Sequence, residues 1–339
     1  MVIRIKKQSV ISMITILFYG LIYAQDPIFT QFHSIPTLLN PSFSGADGNS
    51  RISSGYRLQW PNEGYKITTQ YLSFDTWSKA MNSGLGVSVR NHTEQFTHYN
   101  FTQLDLLYAY HVKLDDEWTF FPGLSAGYGM KNFNFQGLLL EDQIDIKNGT
   151  IYPGSLDPLI HNDQVHFIDI STGFLLYNEH TWFGGSIKHL NRPNISFSDE
   201  GNSPLPIFFS FHGGYLIELK PTYRDNIFDG TNLFLTFNYM QQSLYNRLDL
   251  GAQIEIDNLS FGVLASTVPR KIDENSHTLS SINAIVGIQL EQFKVGVSYD
   301  FKTSKIGKTG GTYEITLQYN FENILDGFKR PKRLKCIPY

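Results

Sequence analysis

Two groups of side chains have the types that chemistry requires. Residues 131–165 carry Glu141, Asp142, Asp145, Asp157, Asp163 and His161, enough oxygen ligands for a calcium ion. Their spacing matches no EF-hand loop, which points to a solvated or partner-contacting loop. His161, Asp163, His166 and Asp169 have the types of a hydrolase or metal site, but no Gly-x-Ser-x-Gly nucleophile motif accompanies them. The single cysteine, Cys336, rules out an internal disulfide framework and any Cys-based zinc or iron–sulfur centre. It is either a mixed-disulfide partner or an inert thiol. A net charge of −4 gives no global positive field for nucleic acid. These residues predict neither an enzyme nor a cofactor.

The remaining charges sit on elements of one kind. Phe293, Val295, Val297, Tyr299 and Phe301 alternate with Lys294, Gly296, Ser298, Asp300 and Lys302. Tyr313, Ile315, Leu317, Tyr319 and Phe321 alternate with Glu314, Thr316, Gln318 and Asn320, and the same pattern runs through 103–112 and 247–256. Period two over nine or ten residues means strands with one apolar and one polar face. That length crosses a bilayer when the strand is tilted. About fourteen such strands fit between 51 and 321, the second and third near 65–74 and 82–91.

Connections of long and short length alternate. Long loops fall near 131–165, 191–206 and 267–280, and tight turns at Asn178-Glu179 and Glu291-Gln292. The expectation is an all-β fold: a transmembrane antiparallel β-barrel of about 14 strands with long extracellular loops and short periplasmic turns. Asp105, Arg247, Asp249, Glu255, Lys294, Asp300 and Glu314 then face inward. They form either a salt-bridged interior or a conduction path. A secreted β-sandwich or propeller competes less well, because sandwich strands are shorter and a propeller repeat is missing.

At the N-terminus, Arg4, Lys6 and Lys7 precede an apolar run from Val10 to Tyr23, then Ala24 and Gln25. This predicts a cleaved signal peptide over 1–24. Residues 25–50 form a periplasmic or plug segment whose Phe29, Phe32, Leu38, Leu39 and Phe43 need cover, in the barrel mouth or on a partner. The barrel occupies 51–321. Residues 322–339 are a basic periplasmic tail, 329-KRPKRLK-335, able to dock an acidic partner or anionic head groups or simply to be solvated. Trp60, at a strand end, is expected in the aromatic belt.

Gln25-Asp26-Pro27-Ile28-Phe29-Thr30-Gln31-Phe32 and Leu39-Asn40-Pro41-Ser42-Phe43-Ser44-Gly45 resemble the opening of the PorP/SprF family. That family comprises outer-membrane proteins of type IX secretion and gliding in Bacteroidetes. Tyr56-Arg57-Leu58-Gln59-Trp60, Val297-Ser298-Tyr299-Asp300, Gly311-Thr312-Tyr313-Glu314-Ile315 and the ending Cys336-Ile337-Pro338-Tyr339 are similar to further family motifs. Tyr313 stands where the family usually has His, and Ile337 is inserted between Cys and Pro. The resemblance implies an outer-membrane barrel that binds, helps secrete or anchors a large adhesin through its C-terminal domain. It also implies periplasmic OmpA-like or motor-ring partners. A porin or hydrophobic-compound channel is the alternative, and an outer-membrane lipid hydrolase is a weaker one.

Overall fold

The computed structural model describes residues 26–322 and 324–325, apart from 63, 65, 136–138, 140, 154–162, 220–230, 271–277 and 304–309. Fourteen long strands follow one another: β1 (Ser50–Gln59), β2 (Ile67–Ser78), β3 (Ser83–Glu94), β4 (Tyr99–Tyr110), β5 (Thr119–Asn132), β6 (Gln164–Tyr177) and β7 (Thr181–Lys188). Then come β8 (Phe208–Leu219), β9 (Thr231–Gln242), β10 (Tyr245–Ile256), β11 (Leu259–Thr267), β12 (Leu279–Leu290), β13 (Phe293–Lys302) and β14 (Thr312–Phe321). Each pairs antiparallel with the next, and β14 returns to β1 with Ser50 opposite Phe321 and Gln59 opposite Thr312. The sheet is therefore a closed 14-strand antiparallel barrel. Closure leaves no strand edge unpaired, as a barrel in hydrocarbon demands.

Alternation sets the two faces as the sequence predicts. Val297, Ile315, Leu317 and Leu250 are each about half exposed on the outside. Asp300, Glu314, Asp249, Arg90 and Asp169 are buried within. Outward aromatic side chains cluster near strand ends: the Tyr299 ring lies 4.7 Å from that of Tyr313 and 4.5 Å from that of Phe301, and the Phe293 ring lies tilted 4.5 Å from that of Tyr319. Such girdles suit the headgroup boundary. The second and third strands run a few residues beyond the expected 65–74 and 82–91. Trp77 keeps the inward parity there and fills the interior instead of ending the strand.

The two rims differ. One carries 133–135, 141–153 and 189–207, with a small ribbon of Ile144–Asp145 and Thr150–Ile151 in the second of these. The other carries the turns at 79–82, 178–180, 257–258 and 291–292. These are called below the long-loop rim and the short-turn rim.

Residues 26–49 run inside the barrel. The chain passes Pro36–Leu39, one helical turn with Pro at its start, and then a 3₁₀ turn at Pro41–Phe43. Asn40 is extended between them, and its side-chain oxygen accepts from the Ser42 N–H, capping the second turn. Phe32, Leu39, Phe43 and Ala46 from this segment join Trp77, Phe121, Tyr177 and Trp182 from the wall in one apolar core. Phe29 and Ile35 pack on Tyr71 in a second cluster.

Candidate functional site: a plugged lumen and its vestibule

The segment is held at successive depths by side chains from different sides of the barrel. Nearest the long-loop rim, the Asp26 carboxylate meets His189 Nε2 at 3.1 Å, Arg90 Nη1 at 3.3 Å and Lys188 Nζ at 3.9 Å. The Asp26 N–H donates to Gln242 Oε1 at 2.8 Å. His189 presents its other nitrogen to Asp169 at 2.9 Å, and Gln103 links Asp169, Asp105 and Arg90. Burial alone would lower the His189 pKa, but Asp26 and Asp169 on its two nitrogens outweigh it and raise the value to about 9. Burial would raise Asp26, yet His189, Arg90 and Lys188 hold it well below the ordinary carboxylate range. Both are therefore ionised at neutral pH. The cluster sets three carboxylates against three cations, the balance a buried network needs.

Next along the segment, the N–H groups of Thr30 and Gln31 donate to the Glu314 carboxylate at 2.9–3.0 Å, and the Thr30 hydroxyl donates to Asp300 at 3.0 Å. Arg57 from β1 pairs with both acids, at 3.4 Å for Asp300. The Gln31 amide bridges Ser298 and Thr316. His33, beside it and buried, has its pKa lowered to about 4 by desolvation.

Further on, the Asn40 amide donates to the carbonyls of Phe174 (2.8 Å) and Gly185 (3.2 Å) and touches His212 Nε2 at 3.2 Å. Nearest the short-turn rim, the Gly45 N–H donates to Asp75, which also pairs with Arg51 at 3.0 Å. Glycines in the wall make this fit possible. A Cβ on Gly84 would stand 1.8 Å from the Ser44 carbonyl oxygen, and one on Gly173 would stand 2.1 Å from Asn40 Oδ1. Gly45 itself has a φ of +66°, where a side chain is strained.

Above the Asp26 cluster lies an open cavity of about 670 Å³ at the long-loop rim. Its floor is Asp26-Pro27-Ile28, and its wall includes the rings of Trp60, Tyr99, Phe133, Phe208 and Tyr245. Gln59, Gln241, Asn246, Arg247, Glu94 and Lys302 supply the polar groups. Such a mixture of aromatic surface and few placed polar groups is typical of a ligand site.

The motif residues thus divide. Asp26, Gln31, Asn40 and Gly45 hold the plug from its own side, Arg57, Asp300 and Glu314 hold it from the wall, and Phe29, Leu39 and Pro41 give it shape. Pro27, Gln59 and Trp60 line the vestibule, while Tyr299 and Ile315 face outward. Gln25, Cys336, Pro338 and the basic run 329–335 lie outside the described residues, as do Asp157 and His161.

One expectation is corrected. Trp60 does not join the outer belt: with φ +57° it turns inward, and Lys302 sits 4.2 Å above its ring. Of the hydrolase-type set that the sequence offered without a nucleophile motif, the two members His166 and Asp169 do not converge. Asp169 is inside, whereas His166, an odd number of positions away, points outward and bonds to Tyr128 at 2.9 Å. Asp145 is occupied by the N–H groups of Lys147 and Asn148, an ordinary turn cap.

Sequence reasoning missed His189, Lys188, Arg90 and the Arg51–Asp75 pair, and named Asp169 only in the hydrolase-type set and not in the latch. Parity could have placed Arg90 and Asp169 inside. Nothing local announced that they converge with Asp26 from strands so far apart in the chain.

Closed strands, outward aromatic girdles and a charge-latched interior define an outer-membrane-type β-barrel with a built-in plug. The sequence model for the type IX secretion system membrane protein PorP/SprF matches residues 21–319, and the chain belongs to that family. It is an outer-membrane component of type IX secretion.

Among solved structures, the toluene transporter TodX of P. putida is similar at 9% identity and a TM-score of 0.48, over 84% of this chain and 94% of that one. A Pseudomonas aeruginosa FadL homologue (9%, 0.41, over 83% and 94%) and the Acinetobacter baumannii outer membrane protein Omp33 (9%, 0.41, over 82% and 100%) are also similar. These likenesses are too distant to bear on function, and the barrel is read from its own hydrogen-bond ladder. A stretch of 157 residues, 46% of the chain, is 26% identical to the periplasmic acid trehalase of Saccharomyces cerevisiae but spans 12% of that protein's length.

Proposed function

We propose that this barrel captures the C-terminal domain of a type IX-secreted surface protein, such as an adhesin, at its long-loop rim on the cell surface. It holds that cargo without doing chemistry on it. Periplasmic OmpA-like or motor-ring components would engage the opposite rim and the basic tail, tying cargo to the secretion or gliding machinery. What supports the reading is family membership together with one arrangement. The lumen is filled by a segment latched to the wall at four points along its length, while an open vestibule remains above it. A lumen so filled suits a holder better than a porin or hydrophobic-compound channel.

The test is an affinity pull-down of protein tagged in the exposed turn 146–149, from detergent-solubilised outer membranes, with single-channel recording of the purified barrel. Recovery of a large surface protein through its C-terminal region, with a closed barrel, supports the proposal. A barrel that comes down alone and conducts steadily favours the channel reading.

A further inference from the structure

One wall of the vestibule holds donors that find no acceptor among the described residues. There, Trp60 Nε1 and Thr312 Oγ1 are buried and lack hydrogen-bond partners. Lys302 Nζ lies over the Trp60 ring, and among the described residues it has no carboxylate within 4.0 Å. Register brings the three together: Gln59, just before Trp60, pairs with Thr312, Thr312 pairs with Asp300, and Lys302 follows on the same face as Asp300. All three line the cavity. The nearest acids are already engaged, since Asp300 takes Arg57 and the Thr30 hydroxyl, and Glu314 takes Arg57 and the N–H groups of Thr30 and Gln31. Arg247, also in the lining, is paired with Asp249 at 2.7 Å.

An ammonium, an indole N–H and a hydroxyl on one partly desolvated wall call for an anionic acceptor with two oxygens. Burying donors without an acceptor is costly, so a ligand that supplies one is favoured there. We propose that Lys302, Trp60 and Thr312 form a carboxylate-binding site in the vestibule, which takes a carboxylate of the captured polypeptide. This rests on the cargo-holding reading and deepens it. The carboxylate comes either from the chain terminus or from an acidic side chain.

The test uses the full barrel in nanodiscs with ¹⁵N-labelled tryptophan, the Trp60 indole resonance being assigned with Trp60→Phe. Three probes are titrated: acetyl-triglycine with a free carboxylate, its C-terminal amide, and acetyl-Gly-Asp-Gly-amide. The free-carboxylate probe should move the Trp60 indole proton downfield and saturate. The plain amide should bind about tenfold or more weakly, the loss of one charge-assisted contact. Lys302→Gln and Thr312→Val should each weaken the response. Whether the aspartyl probe matches the free-carboxylate one tells side chain from terminus.

A Trp60 signal that no probe moves, or that the amide moves as well as the acid, overturns the site. If cargo still co-purifies with Lys302→Gln at wild-type yield, the site fails while the holding function stands. If the probes bind but no cargo is recovered, the site stands and the holding function fails.

Discussion

Replacing Asp26 with Asn should loosen the plug while leaving the barrel intact. The carboxylate faces three cations, at 3.1 Å (His189), 3.3 Å (Arg90) and 3.9 Å (Lys188), in a buried site. Breaking a buried pair by neutralising one member costs about 3–5 kcal/mol. The His189 shift, from 6.5 to about 9, which Asp26 and Asp169 produce together against burial, is of the same order, ~3 kcal/mol. The docking equilibrium should therefore fall roughly 10²–10⁴-fold. The reporters are the N–H groups of Thr30 and Gln31, which among the described residues bond to Glu314 alone and so exchange when the segment lifts. Hydrogen exchange there should accelerate by that factor in Asp26→Asn, with strand amides unchanged. His189→Gln should behave alike, and the double variant should cost less than the sum. Wild-type exchange at Thr30 in Asp26→Asn would refute the latch.

The same latch has a pH dependence. His189, raised to about 9, stabilises docking fully below 6.5 and loses that contribution as pH rises through 9. His33, lowered to about 4, acts oppositely: docking is unaffected above 6.5 and weakens as pH falls toward 4. Asp26, lowered, stabilises docking above 3.8 and loses that as pH falls through its folded value. Exchange at Thr30, corrected for intrinsic rate, should be slowest near pH 6.5 and rise on both sides; a steady trend across pH 5–9 would contradict this. Gly84→Val should expel the 42–48 turn, since its Cβ would lie 1.8 Å from the Ser44 carbonyl oxygen, and limited proteolysis should then cut within 26–49 of an inserted barrel. Leu317→Lys and Val297→Lys put a charge on the outer face at a cost of about 2–4 kcal/mol near the midplane and should reduce heat-modifiable, folded barrel in membranes. Deleting 27–45 should leave the barrel inserted, open it to ions in bilayer recordings and reduce cargo recovery.

Strands, faces and rims were legible because period two survives in every strand. Leu317 and Val297 needed nothing more than counting. Gln318 shows where counting stops. From sequence it is a lumen residue, and Gln318→Lys is expected to be harmless in a watery pore. In the structure it is 2% exposed and its amide donates to the Ser34 carbonyl, so a lysine there would disturb the plug. The apolar residues of 25–50 announced a need for cover. The depth each one reaches depends on partners such as Asp300 and Glu314, some 270–284 positions away in sequence, which no local pattern encodes. Trp60 misled for a similar reason, because a positive φ at the strand end reverses its parity. His189 was invisible for the opposite reason: it lies just past β7, outside any alternation, and acquires its role from Asp26 and Asp169 alone.

The central claim is that cargo is held in the vestibule above a closed plug. A photocrosslinking amino acid at Gln241, on the vestibule wall, tests this in living cells. The account predicts an adduct with the C-terminal region of a secreted surface protein, formed only while type IX secretion is active. An adduct independent of secretion, or none at Gln241 while the same group at outward-facing Leu250 crosslinks the cargo, would contradict it.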